Sequence, residues 1–199
     1  MTDANKDTIF SVREEILSQD PYRGAMPEGK AVHELLEENI RDPLTGAYNR
    51  KFFEEKVLEL MGEGEIFTVV ALDVDRFKKI NDTKGHEAGD SVLREFYRVL
   101  NDHIRQTDDG FVARLGGDEF AIVIPGLKVI KAAKKRANEL CKHVRQSRFR
   151  IQNDEHSVTT SVGVGVWNGY SDKEVFLKDV DRALYLAKNN GRNRVEVAK

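Results

Sequence analysis

One cysteine, Cys141, is all the sequence contains, so no intrachain disulfide can form and the chain suits a reducing compartment. Cys141 falls within an apolar helical pattern and reads as a packed thiol, not a reactive one. No stretch reaches the ~18 uninterrupted apolar residues of a membrane span, and the charged N-terminus does not read as a signal peptide. The expected location is therefore the cytoplasm. Neither sign of charge dominates. A formal net charge of −2 argues against nucleic acid as a partner, because non-specific binders usually carry a basic excess. Internal repeats and low-complexity tracts are missing too. What is there is 199 residues, 40 % hydrophobic and 33 % charged, enough for one domain plus an extra segment.

Residues 1–41 read as that segment, an N-terminal helical linker or regulatory element. Two short amphipathic helices are expected, over about 7–19 and 28–41, with a Pro- and Gly-containing link between them. Ile9, Val12, Ile16 and Leu17 would form one apolar face, and Val32, Leu35, Leu36 and Ile40 the other. They are too few to build a core. The link contains "GAMPEGKA", 24–31, which approaches a phosphate-binding loop pattern. Ala31 stands where a magnesium-binding hydroxyl is needed and no strand precedes it, so the pattern is set aside.

From residue 42 onward the periodicity is orderly and predicts one domain, 42–199. A turn leads into a helix in "DPLTGAYNRKFFEEKVLELM". "EIFTVVALDVD", 65–75, is a continuous apolar run and so a central strand. "AGDSVLREFYRVLNDHI" has helical spacing, and "GFVARLGGDEFAIVIPG" reads as a hairpin whose Gly116 and Gly117 supply the positive φ that tight turns require. A helix over 128–146, a strand in "SVTTSVGVGVW", a helix opened by the capping-box form "SDKE" at 171–174, and a last strand in "NRVEV" complete the order. A hairpin among helical crossovers makes the fold α+β with a mixed sheet.

The chemistry gathers at two places. Asp73 and Asp75 close the buried strand, and residues two apart in a strand point the same way. If the hairpin lies beside that strand, its turn brings Asp118 and Glu119 towards Asp73. Carboxylates so crowded do not all stay ionised without compensation. A hard divalent cation shared with substrate phosphates supplies it. Glycines without side chains also let a bulky charged ligand approach the backbone. The alternative is a polar hairpin turn with solvated acids, and the second acidic pair weighs against it. "DVDRFKKIND" is no calcium loop, since it lacks the third oxygen ligand and the glycine. Lys78 and Lys79 follow closely, and Lys188 and Arg192 straddle the end of the last helix, four apart, where one anion could meet both. Asp90 lies near a helix start, where a cap is the simple reading. His86 has no second histidine or cysteine beside it and is a poor metal ligand.

Five motifs in order carry a family resemblance: "DPLTGAYNR", "DVDRFKKINDTKGHEAGD", "ARLGGDEF", "TTSVGVGV" and "DRALYLAKNNGRNRV". Residues 42–197 resemble a GGDEF domain of the diguanylate cyclase family over about three-quarters of the chain, with the signature intact. The resemblance implies a mainly antiparallel sheet of about five strands wrapped by helices, related to the palm of nucleotidyl cyclases and polymerases. It also implies condensation of two GTP into cyclic di-GMP and pyrophosphate with Mg²⁺, Mn²⁺ being the alternative cation. By position, Asp73, Asp118, Glu119 and the carbonyl of Val74 match the metal site. Glu119, Asp118 and Lys78 match the catalytic groups. Asn81 and Asp90 match the pair that reads guanine, Gly116 and Gly117 lie against the phosphates, Phe77 belongs with the substrate residues, and Lys78, Lys188 and Arg192 match phosphate-binding cations. A homodimer is implied, because the product joins two GTP and each chain carries one signature.

One departure concerns the family's Arg-x-x-Asp product-inhibition site. The aligned positions hold Thr107 and Gly110, while an "RQTD" with Arg105 and Asp108 falls two residues early. Either an insertion keeps that site in a longer loop or the site is lost. The alternative function is a non-catalytic module that binds GTP or cyclic di-GMP and signals through a partner; degenerate signatures mark that class, and this one is not degenerate. A mixed guanine–adenine product is disfavoured by Asp90, since adenine lacks the donor pair a carboxylate accepts from guanine.

Overall fold

The structure, a computed structural model, describes residues 39–107, 110–151, 154–168 and 172–199. Most of the N-terminal segment, including the expected first helix and the "GAMPEGKA" link, therefore lies outside the described residues. The elements are α1 (Arg50–Gly62), β1 (Phe67–Val74), α2 (Phe77–Lys84), α3 (His86–Thr107), β2 (Phe111–Gly116), β3 (Glu119–Pro125), α4 (Ile130–Gln146), β4 (Phe149–Ile151), β5 (Asp154–His156), β6 (Thr160–Trp167), α5 (Lys173–Asn189) and β7 (Val195–Val197). Among the described residues no helix is long and apolar enough to cross a membrane.

Five strands form the main sheet in the order β2-β3-β1-β6-β7. β1 is central and pairs antiparallel with β3 and β6, while β6 and β7 pair in parallel. All eight β1 residues are buried, which explains the unbroken apolar run. Their side chains alternate between two cores. Val70, Leu72 and Val74 pack with Val92, Phe96 and Leu100 of α3 and Ala137 and Leu140 of α4. Phe67, Val69 and Ala71 pack with Phe52 and Val57 of α1 and Phe176 and Val180 of α5. Two helices thus cover each face. α5 lies close on β6 because Gly163 has no side chain: a Cβ there would collide with the Val180 carbonyl and sit 2.5 Å from the Leu184 nitrogen. Cys141 is buried, with its thiol donating to the Thr160 carbonyl at 3.5 Å, as a packed cysteine should be.

Three details differ from expectation. α2 and the β4–β5 hairpin were not expected; α2 is eight residues long, fully buries none and offers only Phe77 and Ile80 to the core, and three-residue strands are too short to show a period. α3 begins at His86, earlier than its apolar pattern. The cap of α5 is Asp172, which accepts from the Glu174 and Val175 amides at 2.6 and 3.1 Å; its N3 residue is Val175, so the helix opens on a simple aspartate cap and not on the expected box.

The stretch before α1 is tied to the sheet edge. Tyr48 N–H donates to the Val112 carbonyl, and Arg114 N–H to the Tyr48 carbonyl. Asp42 accepts from the Thr45 amide and hydroxyl and from Arg114 Nη1, the last reaching both carboxylate oxygens at 3.0 and 3.1 Å. Burial alone would raise the Asp42 pKa; the Thr45 and Arg114 hydrogen bonds outweigh it and hold the carboxyl below its ordinary 3.8. Replacing Asp42 with Ala should cost about 2 kcal/mol, less than the ~3–5 of a fully buried pair because both partners keep some exposure. A depressed carboxylate pKa means that this stability is complete above pH 3.8 and is lost as pH falls through the lower folded value. Urea melts of wild type and Asp42→Ala should therefore differ at neutral pH and converge in strong acid.

Candidate active site

β1 ends beside the β2–β3 turn. Asp73 is opposite Glu119 in the β1–β3 register, and Val74 N–H donates to the Asp118 carbonyl at 3.3 Å. The sheet thus brings three of the expected acids to one end. Asp73 is buried, 7 % exposed, and accepts a 2.6 Å hydrogen bond from Lys188 Nζ. Burial pushes its pKa up to about 6, and the Asp118 charge adds to that, against the pull of Lys188. A carboxylate in this condition gains from any further positive charge. Among the described residues no three His, Cys, Asp or Glu side chains form a ready metal cage. The donor set is nonetheless hard oxygen with a cation already drawn in, which fits an ion held jointly by protein and substrate phosphates.

Asp75 has another task than the one its spacing suggested. Its carboxylate accepts from Ser161 Oγ and Thr159 Oγ1, each at 2.6 Å, and from the Asn193 amide at 2.9 Å. Those bonds join the end of β1 to β6 and to the turn after α5. Asp75 is a structural anchor, and Asp73 alone of the pair faces the turn acids.

The turn is held by cations. Arg114 Nε and Nη2 donate to the Gly117 carbonyl at 3.0 and 2.8 Å, and Arg50 Nε to the Leu115 carbonyl at 2.8 Å. A register shift lies between Arg114 and Gly116, so Gly116 pairs with Glu119 and the loop itself is Gly117–Asp118. Both glycines have positive φ, 134° and 54°, and a Cβ on either would meet open space. Conformation requires them there, and the space above them is free for a ligand. Asp118 is half-buried and Glu119 exposed. Asp181 of α5 interacts electrostatically with both Glu119 and Arg50.

Beyond Asp75 the chain turns through Arg76, whose φ is 61°, into α2. The N-cap offers no side-chain hydrogen bond, which leaves the first amides of α2 without a cap. Lys78 is exposed and Phe77 half-buried. Asn81 Oδ1 is a buried acceptor with no hydrogen-bond partner. It packs on Gly89 so tightly that a Cβ there would overlap Oδ1 and come 3.1 Å from Phe77 Cζ. Asp90 follows directly, half-buried, as the fifth residue of α3, and is therefore no N-cap. His86 is exposed at the start of α3.

Lys188 and Arg192 part company. The ammonium group is on Asp73, whereas Arg192 is exposed and lines a cleft with Arg76 and Lys79. Arg105 is exposed near the end of α3, and Asp108 lies outside the described residues. At Gly110, a Cβ would come 2.6 Å from the Val123 carbonyl, so this position excludes the aspartate that the inhibition motif calls for. Asp42, Arg50, Gly89, Arg114 and Asp181 were not singled out as site residues. Arg114 adjoins the signature, and that adjacency was its available signal.

Comparison with known proteins agrees with this geometry. The family described as "Diguanylate cyclase, GGDEF domain" matches residues 39–194. Diguanylate cyclase DosC of Escherichia coli K12 is 36 % identical over 178 residues, covering 84 % of this chain and 38 % of that protein. Response regulator PleD of Caulobacter vibrioides is 36 % identical over 80 % of this chain and 36 % of its own length. The chain thus spans little more than a third of these relatives. Among solved structures, the GGDEF domain of DgcB from Caulobacter crescentus, in complex with c-di-GMP, superimposes with a TM-score of 0.71 at 31 % identity, covering 80 % of this chain and 95 % of that one. Diguanylate cyclase SiaD from Pseudomonas aeruginosa, in complex with its activator SiaC, gives 0.75 at 30 % identity, over 98 % of this chain and 71 % of that one. The chain belongs to the GGDEF family of diguanylate cyclases, whose chemistry uses a divalent metal.

Proposed function

We propose that this chain condenses two GTP into cyclic di-GMP and two pyrophosphates, with residues 42–199 as the catalytic domain. In each of two steps a ribose 3′-oxygen forms a bond to an α-phosphorus, the bond to pyrophosphate breaks, and the hydroxyl proton leaves. The observation that carries this reading is the buried Asp73 carboxylate, opposite Glu119 and next to the Asp118 charge, at a glycine turn open to a ligand. Asp73, Asp118, Glu119 and the Val74 carbonyl would hold the cation. We take it to be Mg²⁺, with Mn²⁺ as a substitute, and its part is to offset charge on the attacking and leaving oxygens. Glu119 is exposed and so reachable by a substrate hydroxyl. Lys188 sits on Asp73 and becomes available to phosphate once a cation takes over that charge. The uncapped amides of Phe77 and Lys78, with the Lys78 and Arg192 side chains, suit the remaining phosphate oxygens.

Guanine suits Asn81 and Asp90. Asn81 Oδ1 is buried without a donor, which is costly unless a ligand supplies an N–H. The guanine edge offers both N1–H and the exocyclic amine, and adenine does not offer that pair. Such a site rejects a ligand that leaves its polar groups unpaired. GTP and the reducing cytoplasm that a lone cysteine suits are found together.

The product is two-fold symmetric and each chain has one turn, so two chains meet face to face as a C2 pair. Residues 1–41 lead into the domain at Asp42, whose carboxylate is tied through Arg114 to the turn, and we assign to them the positioning of the two chains.

Incubation with GTP and Mg²⁺ should yield cyclic di-GMP on nucleotide chromatography. Glu119→Gln keeps the turn but removes the charge, so turnover should fall by more than ~10²-fold while GTP still binds. Turnover near wild type would remove Glu119 from the chemistry. Gly89→Ala should dislodge Asn81 and reduce the preference for GTP over ATP by about tenfold or more, the cost of one poorly met hydrogen bond. An unchanged ratio in competition binding, with an unchanged fold by circular dichroism, would remove Asn81 from base reading. Specific activity should rise with protein concentration until the dimer saturates, and a chain starting at Glu38 should shift that curve. A flat profile down to concentrations where light scattering shows monomers would defeat the dimer requirement.

A further inference from the structure

α2 has two faces. Phe77, Lys78 and Asn81, assigned above to the substrate, lie on one. Arg76, Lys79, Ile80, Thr83 and Lys84, at intervals of three and four, lie on the other. That second face forms one wall of a cleft of about 610 Å³. His156, Ser157 and Thr159, after the β4–β5 hairpin, form the opposite wall, and Gly191, Arg192 and Asn193 close one end. Phe77, Lys78, Asn81, Asp118 and Glu119 are absent from its lining. The volume is that of a small-molecule site.

The charge inside is lopsided. Arg76, Lys79, Lys84 and Arg192 bring four cations, and among the described residues none of them forms an ion pair. Asp75 is the one acid in the lining, and both its oxygens are already taken by Ser161, Thr159 and the Asn193 amide. His156 Nε2, in the same wall, is buried without a hydrogen-bond partner. Thr83 and Ser157 add hydroxyls. The three non-glycine residues with left-handed backbone among the described residues, Arg76, Arg192 and Asn193, all line this cleft, so strained backbone is concentrated around it. Cations gathered from separate elements with no anion among them repel one another, and a bound anion removes that cost.

We infer that this cleft binds a phosphoanhydride chain, on the face of α2 opposite to the substrate residues. At 1.5 Å per residue, Arg76 and Lys84 stand ~12 Å apart along the helix, which suits a chain of linked phosphates better than one compact anion. Arg192, at the end of the cleft, is shared with the proposed substrate phosphates, and the chain in the cleft comes free, as the pyrophosphate that the proposed reaction releases. The pyrophosphate source rests on the cyclase reading, and the site itself does not.

The test is calorimetric titration of the full chain, without metal, using pyrophosphate, tripolyphosphate and sulfate as probes. Wild type and Lys79→Gln/Lys84→Gln are compared, both lysines being outside the proposed catalytic machinery. Tripolyphosphate should bind more tightly than sulfate, and the double variant should weaken it by about tenfold, with added salt weakening wild type more than the variant. The thermal midpoint of the variant should not fall, since neither lysine is paired and their removal relieves repulsion. Equal affinity of wild type and variant for tripolyphosphate would overturn the site, as would sulfate binding as tightly as tripolyphosphate. GTP titration separates this cleft from the substrate site: GTP unchanged in the double variant supports a separate anion site, and GTP weakened in proportion to tripolyphosphate would return the cleft to the substrate site and overturn the proposal. A chain that binds these anions but forms no cyclic di-GMP keeps this site and loses the proposed function; formation of cyclic di-GMP with lysine-independent anion binding does the reverse.

Discussion

Asp75 carries the constraint from which the geometry of the site follows. A buried carboxylate is tolerable when its oxygens are hydrogen-bonded, and Asp75 receives Ser161, Thr159 and the Asn193 amide. Its own N–H donates to the Thr159 carbonyl at 2.9 Å. Those bonds fix where β1 stops, where β6 begins and how the chain leaves α5. Two residues earlier, Asp73 is left with no such donors except Lys188. One residue later, the backbone reverses through Arg76 and starts α2. Asp73, proposed to meet the metal, and α2, proposed to face the substrate, are thus placed on either side of one satisfied carboxylate.

Charge is distributed so that each acid has a different solution. Asp42 is paired with Arg114 and stays ionised readily. Asp75 is satisfied by neutral donors. Asp73 is left in conflict, buried and near Asp118, with a pKa pushed up to about 6. That conflict is local because the surrounding groups hold the turn rigidly: Arg114 and Arg50 grip the carbonyls of Gly117 and Leu115, and neither guanidinium reaches the Asp73 carboxylate. The turn cannot relax away from Asp73 without breaking those bonds. A site prepared in this way gains most from a cation at one position.

Much of this was legible from the chain alone, for physical reasons. The run 65–75 read as a buried central strand, and Gly116 and Gly117 as a hairpin turn. If the hairpin lay beside that strand, Asp118 and Glu119 would come near Asp73, and the β1–β3 pairing meets that condition. Periodicity was blind elsewhere. α2 offers only Phe77 and Ile80 to the core, too few to show a period, and the bonds to Asp75 come from residues about 84 to 118 positions away, which no local pattern records. Asp73 and Asp75 are alike in type and spacing. What separates them, one carboxylate satisfied by neutral donors and one held only by Lys188, depends on which donors the fold supplies to each. Arg192 looked like a partner of Lys188 on spacing, yet the left-handed turn at 191–193 carries it into the cleft behind α2.

That turn returns the argument to α2. A helix with no fully buried side chain is anchored to the core only by half-buried Phe77 and Ile80, so its position depends strongly on its ends and on what touches its two faces. One end is fixed by Asp75 through Arg76, and the other is joined to the start of α3, the Gly89 N–H donating to the Gly85 carbonyl at 3.3 Å. Between them, Asn81 is wedged against Gly89, while Lys79, Thr83 and Lys84 face the cleft. Where ligands occupy both faces of one short helix, any coupling between them is reciprocal: whatever an anion in the cleft does to the proposed guanine binding, guanine does to the anion.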